Sequence, residues 1–250
     1  MRNLRPRNDI SKSLEIQLQK KTDEILKLPE GDARRKTAKR VYDNSRKAQW
    51  FKPVMETLLG LCGGVEVCMY CSSNEPSQIE HYRPKAVFPE LAMVYDNYLW
   101  TCSICNGSKL DRFPPDTEAG EQILNPIDDS VWEYFTFDHF GNLTPLLSSN
   151  GEDFLSRAIS TCEVVKIDRE FLQKRRRRRY SSYVKDLKRS LKDLDEGSIT
   201  IENLLSDIQD IRTDDFQADV ADYFLNGPGR VNEPFRSALI AIGEEVSTEV

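Results

Sequence analysis

Residues 68–71 read CMYC, residues 78–85 read QIEHYRPK and residues 102–109 read CSICNGSK; together they decide the fold. A Cys-x-x-Cys turn delivers two thiolates from one tight loop, and two such turns complete the four ligands that tetrahedral zinc takes. Cys68, Cys71, Cys102 and Cys105 therefore read as a structural zinc site. Four thiolates leave no coordination position open, so this ion carries no chemistry of its own. A redox reading needs only one pair and a thioredoxin-like strand-helix-strand context, which is absent here. The zinc clamps the loop 72–101 at both ends, fixing geometry where a small module has little core.

Inside the clamp lie Glu80-His81-Tyr82-Arg83-Pro84-Lys85 and Asn97, and directly after the last cysteine come Asn106-Gly107-Ser108-Lys109. This order of C-x-x-C, acid-His-x-x-Pro, Asn and C-x-x-C-Asn-x-x-Lys resembles the HNH nuclease superfamily with its ββα-metal fold. The resemblance implies that Glu80 and Asn106 hold a catalytic divalent cation, Mg²⁺ or Mn²⁺, while His81 activates water. Asn97 would brace the intervening loop or the histidine by hydrogen bonding. The chemistry agrees with this reading. Phosphodiester hydrolysis needs an activated water, which a neutral imidazole can supply at cellular pH. It also needs charge stabilisation at the phosphate and the leaving oxygen, which one hard cation with oxygen ligands can supply.

Each of these residues has a plainer reading as well. A single histidine is usually structural, and Asn106 is a favoured residue type for capping a helix. Arg83, Lys85 and Lys109 are expected to contact phosphate, with solvated surface charge as the alternative. Glu80 stands where many family members carry Asp, so it reaches a metal directly or through a water. Neighbours on a strand point to opposite faces, so Glu80 and His81 need a twisted or strand-end geometry to serve one phosphate. His139 lies outside the clamp and reads as part of a hairpin turn.

The forms IEHYRPK, NYLWTCSICNGSK and the later ILNPIDDS, behind a helical N-terminal segment, are similar to the PtuB family. These are HNH proteins of the Septu antiviral systems and of some retron systems. That resemblance implies a DNA endonuclease subunit in a defence complex, controlled by a PtuA-like ABC-type ATPase. The same fold acting on RNA such as tRNA is one alternative; a non-catalytic zinc module that binds nucleic acid or protein is another. The non-catalytic reading gives no reason for Glu80, His81 and Asn106 to occur together.

Around this module the chain of 250 residues changes texture twice. Residues 1–61 read as helices that dock a partner, 62–150 as the HNH module with a β-hairpin extension, and 151–250 as a C-terminal helical region. The first helix carries Leu14, Leu18, Ile25 and Leu28 and is interrupted at Pro29-Glu30-Gly31. A second runs over 33–61 with Val41, Trp50, Phe51, Val54, Leu58 and Leu61 as its apolar face, until Gly63-Gly64 stops it. The aromatic run 132–137 and the Gly141-Asn142 turn predict a hairpin. A long helix is expected over 168–194 with five arginines at 175–179, and another over 201–225 before a break at 226–229. The fold class is therefore α+β, mainly helical, with a central zinc-stabilised ββα module and a small hairpin.

Composition sets the outer bounds. Charged residues make up 30% and hydrophobic residues 39% of the chain, which suits a helix-rich protein with much solvated surface. No apolar run approaches membrane-spanning length, and the basic N-terminus has no apolar stretch after it, so a cytoplasmic location is expected. The net charge of −6 does not by itself advertise nucleic acid, yet Lys and Arg cluster at 34–47 and 174–179. Cys62 and Cys162 stand alone and read as small buried hydrophobes.

Overall fold

The computed structural model describes residues 4, 7, 10–62, 66–75, 77–116, 122–149, 151, 153–200, 202–203, 219–220 and 222–223. Helix α1 (Lys12–Leu26) begins at Ser11, whose hydroxyl accepts the Leu14 N–H at 3.3 Å and satisfies an orphan donor of the first turn. Leu14, Leu18, Thr22 and Ile25 recur at helical spacing and face inward. Helix α2 (Asp32–Ser45) buries Ala38, Val41 and Tyr42 beside it.

The single helix expected over 33–61 is two helices. The chain leaves α2 at Arg46, makes a 3-10 turn at Gln49–Phe51 and restarts as α3 (Lys52–Leu61). Pro53 is the reason. It has no N–H to donate, and its ring would clash with the carbonyl of residue 49 in a continuous helix, so it is tolerated only in the first turn of a new one. Trp50 and Phe51 thus face the core from a connection, not from a helical stripe. Gly63-Gly64 lies outside the described residues.

Strand β1 (Ser77–His81) pairs antiparallel with β2 (Tyr98–Cys102), from Ser77 opposite Cys102 to His81 opposite Tyr98. Helix α4 (Ser103–Lys109) follows β2 without a loop and packs back on both strands. A second hairpin, β3 (Phe135–Phe137) and β4 (Leu143–Pro145), is shorter than its aromatic run, because Trp132 falls in a 3-10 turn at Val131–Glu133. Its turn requires glycine at 141. The residue adopts φ +88°, and any Cβ there would strike the Tyr180 side chain. His139 stands exposed in this turn, as expected.

Helices α5 (Ser156–Val165) and α6 (Glu170–Asp195) complete the described elements. The five arginines of α6 do not share one environment. Leu172, Arg176, Tyr180 and Tyr183 share the buried side by helical periodicity. Arg176 is wholly buried, its Nε 2.9 Å from Asp219 Oδ2 and its Nη1 donating to the Ile167 carbonyl at 2.5 Å. Arg177 reaches Asn142 at 2.7 Å and Glu170 at 3.1 Å. The helix expected over 201–225 and the break at 226–229 fall outside the described residues, apart from 202–203, 219–220 and 222–223.

One continuous cluster of buried side chains runs from Leu14 on α1 to Tyr223, and all three stretches of the sequence contribute to it. Among the described residues the fold is mixed, with six α-helices and two small antiparallel sheets. No helix among them is long and apolar enough to cross a membrane. Cys62 and Cys162 are buried, at 2% and 7% exposure, as their isolation in the sequence suggested.

Candidate functional site

Four sulfur atoms meet at one end of the first hairpin. The Sγ atoms of Cys68, Cys71, Cys102 and Cys105 all lie within 4.8 Å of one another, and all four residues are buried. A tetrahedral ion with Zn–S bonds of about 2.3 Å sets its sulfurs roughly 3.8 Å apart. Cys71 and Cys102 stand at 3.8 Å, so this donor set can hold a zinc ion. The first turn is built for the purpose: Ser72 takes the left-handed conformation (φ 57°), and its N–H bonds the Cys68 carbonyl at 2.8 Å. The Met69 N–H then donates to the Trp100 carbonyl at 2.8 Å, tying this turn to β2.

The sulfurs also have a counter-charge that sequence spacing did not reveal. Arg169, just before α6, places Nη1 3.6 Å from Cys105 Sγ and Nη2 3.8 Å from Cys71 Sγ. Burial opposes its charge, yet the two thiols overcome that and raise its pKa above the ordinary guanidinium value. Hydrogen bonds from Cys102, Cys105 and Cys68 hold the Cys71 thiol well below its usual value. No local pattern flags Arg169, because it lies far from the cysteines in sequence.

The other end of the same hairpin opens into a cleft of about 670 Å³. Glu80, His81, Lys85, Trp100 and Asn106 line it from the hairpin, its following loop and α4, and Arg46, Lys47, Gln49 and Lys52 line it from the stretch between α2 and the start of α3. Glu80 and His81 share the cleft because His81 is the last residue of β1, where the strict alternation of the strand ends. Asn106 reaches it from α4, one residue after Cys105 has turned toward the sulfurs.

His81 is 3% exposed and held by its surroundings. Its ring packs edge-on against Tyr42 at 4.5 Å and Tyr98 at 5.2 Å. Its Nε2 lies 3.0 Å from the Ala92 carbonyl. A carbonyl only accepts, so Nε2 carries the proton and Nδ1 keeps the lone pair. Burial, with Lys85 nearby, drives the imidazole pKa down to about 3, and the ring is neutral at cellular pH.

Lys109 departs from the sequence expectation. It was expected on the surface facing phosphate, and it is fully buried instead. Its ammonium donates to Glu80 Oε1 at 2.9 Å and to the His81 carbonyl at 2.8 Å. The i, i+3 spacing on α4 puts Lys109 on the same side as Asn106, one turn deeper against β1. Burial raises the Glu80 pKa, and Lys109 counters it as the nearest positive charge. Lys109 is therefore committed to Glu80 and the His81 carbonyl and not to the surface.

Asn97 is likewise a brace. Its Oδ1 accepts the Arg83 N–H at 2.7 Å, and its Nδ2 donates to the carbonyls of Arg83 at 2.9 Å and Leu91 at 3.1 Å. Of the two roles expected for it, bracing the loop is the one observed; it does not touch His81. Arg83 does not line the cleft; it is paired with Asp116 at 2.9 Å, with its guanidinium 5.1 and 5.2 Å from the ring centres of Phe88 and Phe113. Only Lys85 of the three expected phosphate contacts lines the cleft, with its ammonium 5.1 Å from the Tyr42 ring centre. The Asn125-Pro126 segment forms a turn in which Asn125 bonds Asp129 and Ile127, while Arg157 grips the Asp129 carboxylate at 2.7 and 2.9 Å. No family model and no curated protein matches this chain.

Proposed function

We propose that this protein is a metal-dependent phosphodiester hydrolase of the HNH kind, acting on DNA. The observation that carries the reading is the meeting of Glu80, His81, Lys85 and Asn106 at one cleft, on a strand-strand-helix unit pinned by four cysteines. A merely structural histidine has no need of a carboxylate, an amide and a lysine around an open cleft. His81 offers Nδ1 as the base that takes a proton from water. Its low basicity in the empty cleft comes from burial and from Lys85. A phosphate anion beside Lys85 offsets both, so the base strengthens when substrate is bound.

Glu80 and Asn106 fit the sparse oxygen donor set that Mg²⁺ takes, completed by water and substrate phosphate. Lys109 occupies Glu80 Oε1 and leaves Oε2 for that role. When bound there, the cation supplies charge stabilisation at the phosphate and the leaving oxygen. The resemblance to the PtuB family adds an ABC-type ATPase as the controlling partner and antiviral defence as the setting.

The test is cleavage of plasmid DNA and of tRNA by the purified protein with Mg²⁺ or Mn²⁺, with and without a PtuA-like ATPase. His81→Ala should lower the rate about 10²- to 10⁴-fold, the usual contribution of a general base, at unchanged zinc content. Cleavage that survives in this variant removes His81 from the mechanism. Cleavage of tRNA alone moves the substrate to RNA.

A further inference from the structure

We infer that residues 46–52, the connection between α2 and α3 together with the first residue of α3, bind the phosphate backbone of a polynucleotide and form part of the substrate site. This rests on the hydrolase reading above and extends it, because residues 1–61 were expected to serve partner docking. Three cations of this stretch, Arg46 and Lys47 in the connection and Lys52 at the start of α3, line the same cleft as Glu80 and His81, and all three are exposed. Lys85 adds a fourth from the loop after β1.

The acids of the cleft do not cancel them. Glu80 is neutralised by Lys109, and Asp43 lies 2.9 Å from Lys39 and 3.5 Å from Arg46. Lys47, Lys52 and Lys85 make no ion pair among the described residues. The chain carries a net charge of −6, so a cleft with surplus positive charge is a local concentration against the overall balance. Charges within about a Debye length of roughly 8–10 Å act together on an incoming anion, and low-dielectric walls focus their field.

Two further features point to a polar polymer. Gln49 and Gln78 both line the cleft with amide side chains, and Trp100, a cleft residue 6% exposed, has an indole N–H without a hydrogen-bond partner. The break before Pro53 is what turns this segment toward the cleft; an uninterrupted helix would spread the same cations around its circumference. Spaced cations along a cleft that also holds the hydrolytic residues suit a repeating phosphate.

The experiment measures binding without cleavage. His81→Ala protein, zinc-loaded and without added Mg²⁺, is titrated into fluorescein-labelled duplex DNA, single-stranded DNA and tRNA by anisotropy across a potassium chloride series. Each phosphate contact contributes about 0.9 to the log–log salt slope on duplex DNA and about 0.7 on single strands. Lys47→Gln and Lys52→Gln should each lower the slope by about that amount, and the triple change of Arg46, Lys47 and Lys52 to Glu should weaken binding at least about 10-fold. Zinc content and thermal melting establish that the variants are folded. The control is Arg178→Gln on α6, which should leave the slope unchanged.

An unchanged slope in the 46–52 variants overturns the inference, as does a slope carried by Arg178. Displacement by polyglutamate as readily as by unlabelled DNA also overturns it, because the cleft would then select charge and not phosphate. Wild-type cleavage with no role for 46–52 defeats this inference alone. Binding through 46–52 with no cleavage under any metal defeats the hydrolase reading alone.

Discussion

The two ends of the β1–β2 hairpin make opposite use of the same short helix. At one end Cys105 joins three other sulfurs in a buried, closed cluster; at the other, the next residue, Asn106, lines an open cleft. Successive residues on a helix differ by about 100° in direction, so one turn can serve both ends. The closed end has every donor committed and a counter-charge beside it. The open end has an imidazole lone pair, a carboxylate oxygen and exposed lysines uncommitted. What separates the two ends is which groups remain unsatisfied, more than which residue types are present.

That contrast breaks most severely at Cys102→Ser. Zinc binding supplies folding free energy on the order of 10 kcal/mol in small zinc modules, so this variant should lose its zinc by elemental analysis and its cooperative melt. A folded, zinc-free Cys102→Ser protein would show that the clamp is dispensable. Next comes Lys109→Ala, which strands Glu80 in the interior without its partner. Breaking a buried pair in this way costs about 3–5 kcal/mol, read as a shift in the denaturant midpoint. Lys109→Met, which fills the same space, should cost as much if charge is what matters and markedly less if packing is.

Arg169→Gln addresses the closed end more gently. Removing an outer partner of metal ligands typically lowers affinity about 10- to 100-fold, so zinc should pass faster to a chromophoric chelator while the melt of the loaded protein stays cooperative. An unchanged transfer rate would mean that Arg169 is packing and not charge balance.

The smallest expected effect near neutral pH is the pH dependence of stability at the open end, which grows only as the solution is acidified. The His81 pKa is depressed to about 3 in the folded chain, against about 6.5 unfolded. Above about 6.5 both states are neutral and the residue contributes no slope. Below it the unfolded state takes up a proton that the folded state refuses, so stability falls with pH until about 3. The slope is at most about 1.4 kcal/mol per pH unit, and His81→Asn should remove it. An identical slope in that variant would assign the acid sensitivity to other groups.

The cysteine spacing made the metal cluster legible because a chelating turn is local: two thiols three residues apart need only one tight loop. The β1–β2–α4 order was expected only through the resemblance to the HNH superfamily, not from the spacing of the cysteines. The break at 46–52 was missed although Pro53 stood in plain view, because the apolar spacing continued through it. Asn97 could be read as a brace but not where, since its partners at 83 and 91 depend on how the loop folds. Lys109 looked like a surface lysine because nothing nearby in sequence says that its helix presses against β1.

The sequence by itself determined the ligands that stand close along the chain, the carboxylate-imidazole neighbours, and the helical and strand-like stretches. Tertiary structure alone decided which charges are spent and which are available. It buried Lys109 on Glu80 and Arg176 on Asp219, turned Arg83 toward Asp116, set Arg169 against two sulfurs, and left Lys47, Lys52 and Lys85 at an open cleft. The physical reason is that a charge acts through space and through the dielectric around it. Its role is therefore set by neighbours that the fold brings from distant parts of the chain.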